Sequence, residues 1–237
     1  MKKYVKILFE RMGYRLIKLS NYKVQNSNPF LGCKSLINST EPVIFDIGMN
    51  HGQTLKKIRT VYPHVTIHGF EASKYCYQEL VENFKNDAKI HLNNVAIGNE
   101  ETVLQFNEYS WDAMNSFLTR AYGKTTIIET YDVNVTTIDT YCSKNNIDSI
   151  DILKSDTEGF ELKVLQGAKG MMQKNKIKFV FVELFFDVNF IGQSSVGDIF
   201  SYLEQNNFSL VRFYDIGLTG HGLASKGDAL FINTNFK

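Results

Sequence analysis

From Pro42 onward, short apolar runs alternate with segments of helix length, and that alternation limits the chain to a narrow set of folds. Val43–Ile47 and residues 65–70 and 89–97 read as strands. Between them lie helix-length segments, Gln53–Val61 and residues 75–84, the second after the capping residue Ser73. Strand, helix, strand, helix, strand is the order of a parallel sheet with helices packed on its faces. Residues 102–136 break the rhythm: TVLQFNEY alternates apolar and polar positions and VNVTT starts another strand, which predicts a hairpin or insertion. The rhythm returns in DILKSD, in the helically spaced Phe160, Val164, Leu165, Ala168 and Met171 or Met172, and in KFVFVEL. That last run is almost wholly apolar, as expected of a strand covered on both faces. Ser195 opens a helix to about Asn206, and FSLVRFY and DALFINTN close the chain around the loop GLTGHGLASKG. The prediction is an α/β, Rossmann-like fold: a central, mostly parallel sheet with helices on both faces.

One domain is expected over residues 41–237, preceded over 1–40 by an amphipathic helix and a connector that is polar and irregular from 21 to 40. At 237 residues a folded chain buries roughly 70% of the surface its extended form exposes, so neither disulfides nor a metal is required for stability. The first 20 residues carry Lys2, Lys3, Lys6, Arg11, Arg15 and Lys18 among apolar residues, without the apolar core of a signal peptide. They read either as a helix covering the domain or as a peripheral contact with an anionic membrane. A formal charge of +1 gives no global field for nucleic acid, so no nucleic-acid partner is expected. Cys33, Cys76 and Cys142 are scattered, against a disulfide framework or a cysteine-rich zinc site. The expected setting is therefore cytoplasmic, with membrane association at the cytoplasmic face as a variant. Oligomeric state is not legible.

The sharpest local signal is PVIFDIGMNHGQT, in which a strand ends at Asp46 and Gly48, Asn50 and Gly52 precede a helix. Glycines let the backbone turn tightly and bring its amides close to a ligand. The second strand ends in Glu71, 23 positions beyond Gly48, where a carboxylate can accept hydrogen bonds from ribose hydroxyls. Neither G-x-G-x-x-G nor a Walker A sequence is present, which favours a nucleoside ligand without a pyrophosphate at the helix terminus.

VIFDIGMNHGQT, HGFEAS, NNVAIGNEE, IDILKSDTEGFELKVLQGA and FVFVEL occur in this order over residues 43–184. In this the chain resembles the FkbM-type family of S-adenosylmethionine-dependent methyltransferases. The resemblance implies a class I methyltransferase fold, S-adenosyl-L-methionine as methyl donor, and a hydroxyl acceptor, often on a carbohydrate or natural product. It places the donor at Asp46, Gly48, Asn50 and Gly52, the ribose at Glu71, and the adenosine beside Asn94 and Ala96. Met49 departs from the small residue usual in DxGANxG.

SDTEGFE sets Asp156 and Glu158 just past a strand, and Glu183 follows the apolar run 179–182. Helix-start stabilisation or a salt bridge accounts for such acids as well as a site does. As site residues they would organise the acceptor and take its proton, and His221 in the glycine-rich loop is a further candidate base. Mg²⁺ on Asp156, Glu158 and Glu183 is an alternative without a recognised ligand motif behind it. Glu161 reads as a surface or packing residue, His51 as a loop residue with a catalytic alternative, and His64, His68 and His91 as structural. In YSWDAMNSFLTRAYG, Trp111 could stack on an acceptor while Asn115 and Ser116 bind its hydroxyls; packing is the competing reading. The functional expectation is an O-methyltransferase with a small-molecule or glycan acceptor. The alternatives are a non-catalytic nucleoside-binding regulator and an NAD-dependent oxidoreductase.

Overall fold

A computed structural model describes residues 28–236, so the amphipathic reading of the first 20 residues lies outside the described part. The principal sheet contains β1 (Val43–Ile47), β2 (Thr66–Phe70), β3 (Ile90–Asn93), β8 (Ile150–Ser155), β9 (Ile177–Phe185), β11 (Phe208–Tyr214) and β12 (Lys226–Asn233). Its order is β11-β12-β9-β8-β1-β2-β3. All neighbouring pairs are parallel except those made by β12, which runs antiparallel to both β9 and β11.

The chain reverses its spatial direction after β3: β1 is flanked by β2 on one side and β8 on the other. Ligands in open sheets of this kind sit at such a switch point, beyond the C-terminal ends of the strands. The register places Asp46 beside Lys154, and Glu183 beside Asp228.

Helices cover both faces because the strands are apolar on both. On one face α1 (Pro29–Cys33), α2 (Gln53–Val61) and α3 (Lys74–Phe84) pack Phe30, Leu55, Ile58 and Leu80 against Ile44, Ile152 and Phe179. On the other, α4 (Ile138–Lys144), α5 (Glu161–Gln166), α6 (Lys169–Gln173) and α7 (Val196–Gln205) set Ile138, Val164, Met172 and Leu203 over Phe45, Leu153 and Val182. Ser73 and Ser195 cap α3 and α7, accepting from Cys76 N and Asp198 N. Among the described residues no helix is long and apolar enough to cross a membrane.

Two sequence expectations need correction. Residues 89–97 are not one strand: β3 stays in the principal sheet, while β4 (Ala96–Ile97) pairs with β7 (Ile127–Thr136) in a second sheet. Asn94 makes the break, its side-chain amide donating to the Glu71 and Ala72 carbonyls. Within the connector read over 21–40, Pro29–Cys33 is helical, capped by Asn28, and its Phe30 and Cys33 are buried. The hairpin expected over 102–136 is present: β5 (Thr102–Tyr109) runs antiparallel to β7. Between them lie a 3-10 turn (Asp112–Met114) and β6 (Thr119–Arg120), which pairs with β10 (Phe190–Ile191).

Candidate active site

The loop after β1 is held by its backbone. Gly48 and Met49 donate their amides to the Phe70 carbonyl at the end of β2. Gly48 takes φ +74°, and a Cβ there would stand 1.9 Å from the Asp156 carbonyl oxygen. Only a residue without a side chain lets the loops after β1 and β8 approach this closely.

Glu71 ties the same loop to the one after β2. Its Oε2 accepts from Asn50 N at 2.7 Å and its Oε1 from Ser73 N at 2.8 Å. It is nearly enclosed, and burial pushes its carboxyl up to about 7 against the effect of those two amides. Each carboxylate oxygen retains lone-pair capacity for a further donor.

Lys154 joins this loop to Asp46 of β1 and to Asp156 just past β8. Its Nζ donates to the Gly48 carbonyl at 2.8 Å, and lies 2.8 Å from Asp46 Oδ1 and 3.5 Å from Asp156 Oδ2. Both Lys154 and Asp46 are fully enclosed, so each charge depends on the other. Above the loop, His51 bridges Glu79 at 2.8 Å and Asp112 at 2.7 Å. The Asp112 contact raises the His51 pKa, and the bridge fixes the 3-10 turn as a roof.

These parts surround a cavity of about 280 Å³. Gly48, Asn50 and Glu71 form one side; Phe70, Ala96, Ile97, Phe106, Phe117 and Phe160 form an apolar slot. At the other end Asp156, Glu158 and Glu183 converge, one oxygen from each lying within 4.8 Å of the others. Lys226 Nζ stands 2.7 Å from Glu183 Oε1 and 3.9 Å from Glu158 Oε1. Burial, with the Asp156 charge adding to it, pushes Glu158 up to about 8 and also raises Glu183.

The structure thus brings together at one cavity Gly48, Asn50, Glu71, Ala96, Asn115, Asp156, Glu158 and Glu183. The other sequence candidates fall outside its lining. Asp46 lies beneath the floor with Lys154, and Gly52 is the left-handed N-cap of α2, tight against Phe84. Asn94 is exposed and braces the turn after β2. Ser116 is buried and donates to the Glu158 carbonyl at 2.8 Å, so it positions that acid's backbone. Trp111 is 58% exposed, and His221 is exposed in the loop between β11 and β12. Neither lines the cavity.

Glu161 corrects the surface reading: it is 1% exposed and its Oε1 accepts from Thr157 N and Gly159 N, shaping the loop that presents Glu158. His68 is structural, stacked on His91 at 4.7 Å and 2.9 Å from the Tyr141 hydroxyl. Sequence reasoning passed over Lys154 and Lys226. A lysine inside an otherwise apolar parallel strand, as in DILKSD, was a signal, because such a charge needs a buried partner.

Strand order, glycine loop, strand-end carboxylate and apolar slot fit the class I methyltransferase fold. The Methyltransferase FkbM domain model matches residues 46–210, and the chain belongs to this family of S-adenosylmethionine-dependent methyltransferases. That membership decides against the oxidoreductase alternative. The 2-O-methyltransferase NoeI of Sinorhizobium fredii is 25% identical over 212 residues, covering 84% of this chain and 83% of that protein. The solved methyltransferase FkbM of Methylobacillus flagellatus superposes with a TM-score of 0.54 at 15% identity, covering 84% of this chain. This chain spans only 45% of that protein's length. The METTL16 methyltransferase domain gives a TM-score of 0.51 at 11% identity, covering 97% of this chain and 77% of that domain. These likenesses to solved structures establish the fold.

Proposed function

We propose that this chain is an O-methyltransferase acting on a hydroxyl of a carbohydrate, glycoconjugate or natural product. The observation that carries the reading is the cavity itself, with the strand-end carboxylate of Glu71 at one end and convergent acids at the other. The 2-O-methyltransferase name of the Sinorhizobium fredii relative supports oxygen as the acceptor atom.

The cavity fits the donor on three counts. Gly48 leaves room that a side chain would fill, Glu71 offers acceptor capacity to the ribose, and the slot of Phe70, Ala96 and Phe117 suits a flat adenine. S-adenosylmethionine, when bound, supplies a methyl group on a positively charged sulfur. The chain's own contribution is orientation and proton removal. Holding the acceptor oxygen in line converts a bimolecular encounter into a local one. Asp156, Glu158 and Glu183 surround the acceptor end and can take the hydroxyl proton. Asn115 lines the same cavity, but its Oδ1 already accepts from Tyr109 N at 2.7 Å and its amide donates to Glu108. It therefore shapes the acceptor wall more than it grips the acceptor. Trp111 and His221 join the site only if their segments close over a bound acceptor. For the first 20 residues both readings stand as proposals, a helix covering the domain and a peripheral membrane contact.

Isotopically labelled methyl donor incubated with fractionated cell metabolites tests the reading. Label in an ether-linked methyl of a hydroxylated product supports it; label confined to nitrogen or carbon products refutes it.

A further inference from the structure

We propose that Asp156, Glu158 and Glu183 form a divalent-cation site, for Mg²⁺ or Mn²⁺, at the acceptor end of the cavity. The inference rests on the methyltransferase reading of that cavity and gives its acceptor end a chemistry.

The first observation is convergence: one carboxylate oxygen from each residue lies within 4.8 Å of the others. The second is independent of it. Glu158 is 8% exposed, its Oε2 is buried without a hydrogen-bond partner, and its nearest cation, Lys226, stands 3.9 Å from Oε1, beyond hydrogen-bonding reach. Glu183 is 7% exposed and its Oε2 is likewise buried and unpartnered. Unpartnered buried carboxylate oxygens are costly, and a fold retains them where something else satisfies them.

Lys226 alone does not balance the cluster. It pairs closely only with Glu183, stands 3.9 Å from Glu158 Oε1, and is 42% exposed on its side chain. Lys154, which faces Asp156, is already engaged by Asp46 and the Gly48 carbonyl, and the charge of Arg120 also acts on Glu158. An all-carboxylate set of hard oxygen donors suits Mg²⁺ or Mn²⁺ rather than Zn²⁺. The set is also built on rigid supports: Glu183 sits in β9, and Ser116 and Glu161 hold the loop that carries Glu158. A cation there would leave coordination positions open toward the cavity. With the three acids serving as ligands instead of as the base, an acceptor hydroxyl oxygen held at one of those positions would lose its proton to solvent more readily, because the metal lowers its pKa.

The test is titration of the full chain, without donor, with Mn²⁺ followed by the loss of its free electron paramagnetic resonance signal. The expected result is one bound ion per chain, displaced by excess Mg²⁺ and weakened at least tenfold by Glu158→Gln. Lys226→Met, which removes the competing cation, should bind at least as tightly. If circular dichroism shows that Glu158→Gln is unfolded, Glu183→Gln takes its place. Equal signal loss with the unsubstituted and substituted chains, no loss with either, or weaker binding by Lys226→Met overturns the proposal. Calorimetric titration with S-adenosylmethionine in EDTA separates the two readings. A chain that binds donor but no Mn²⁺ loses the cation site alone; one that binds Mn²⁺ but no donor loses the methyltransferase reading.

Discussion

Gly48 and Lys154 are the two residues on which the cavity floor depends, one by having no side chain and the other by having a long charged one. Gly48→Ala would place a methyl group 1.9 Å from the Asp156 carbonyl oxygen at φ +74°. The expected outcome is a loss of more than about 1 kcal/mol in stability, with weakened donor binding, read by denaturant melts and calorimetry. Lys154→Met strands the fully buried Asp46, and breaking such a pair costs about 3–5 kcal/mol. Asp46→Asn combined with Lys154→Met should recover part of that loss; equal stability of the single variant and the parent would remove the pair from the account. Gly48 was legible in the sequence because a glycine directly after a strand has few other uses. The role of Asp46 was not: its motif pointed to the ligand, whereas its side chain meets a lysine more than a hundred residues away. Local spacing carries no record of such a partner.

At the scale of elements, caps and apolar periods were readable because they depend on neighbours in the chain. Ser195 caps α7 through Asp198 N at 3.0 Å, so Ser195→Ala should lower stability by about 1 kcal/mol in a denaturant melt. An unchanged midpoint would show that the cap contributes nothing. The helical spacing across Phe160 to Met172 was likewise visible, yet the structure divides it into α5 and α6. At that division the Gly167 backbone lies against Gly98, where a Cβ would stand 2.0 Å from the Gly98 carbonyl oxygen. The split of residues 89–97 between two sheets has the same origin. Both are tertiary contacts between segments distant in sequence, and they override the local period.

The whole molecule carries several enclosed acids, and its stability should therefore depend on pH in a definite sense. Folding raises Glu71 and Glu161 from 4.5 to about 7, mainly through burial, so the folded chain keeps protons that the unfolded chain has released. Stability then falls as pH rises through that window. His68 acts oppositely: burial lowers it from 6.5 to about 4, a contribution that levels off as the pH passes 6.5 and is outweighed there by the two acids. Without donor, the melting temperature should be lower at pH 7.5 than at pH 6.5; a rise would contradict the burial of these acids. The parallel core, its switch point and the acids at the strand ends were legible as a class of fold. The roof built by His51 and Asp112 and the placement of Lys226 were not, since each arises where separate loops meet. The central claim is that Glu71 holds the donor's ribose in the cavity beneath that roof. Calorimetric titration with S-adenosylmethionine tests it most directly: the account predicts one donor per chain and at least tenfold weaker binding by a folded Glu71→Ala variant, whereas equal affinity in the two, or no binding by the unsubstituted chain, would contradict it.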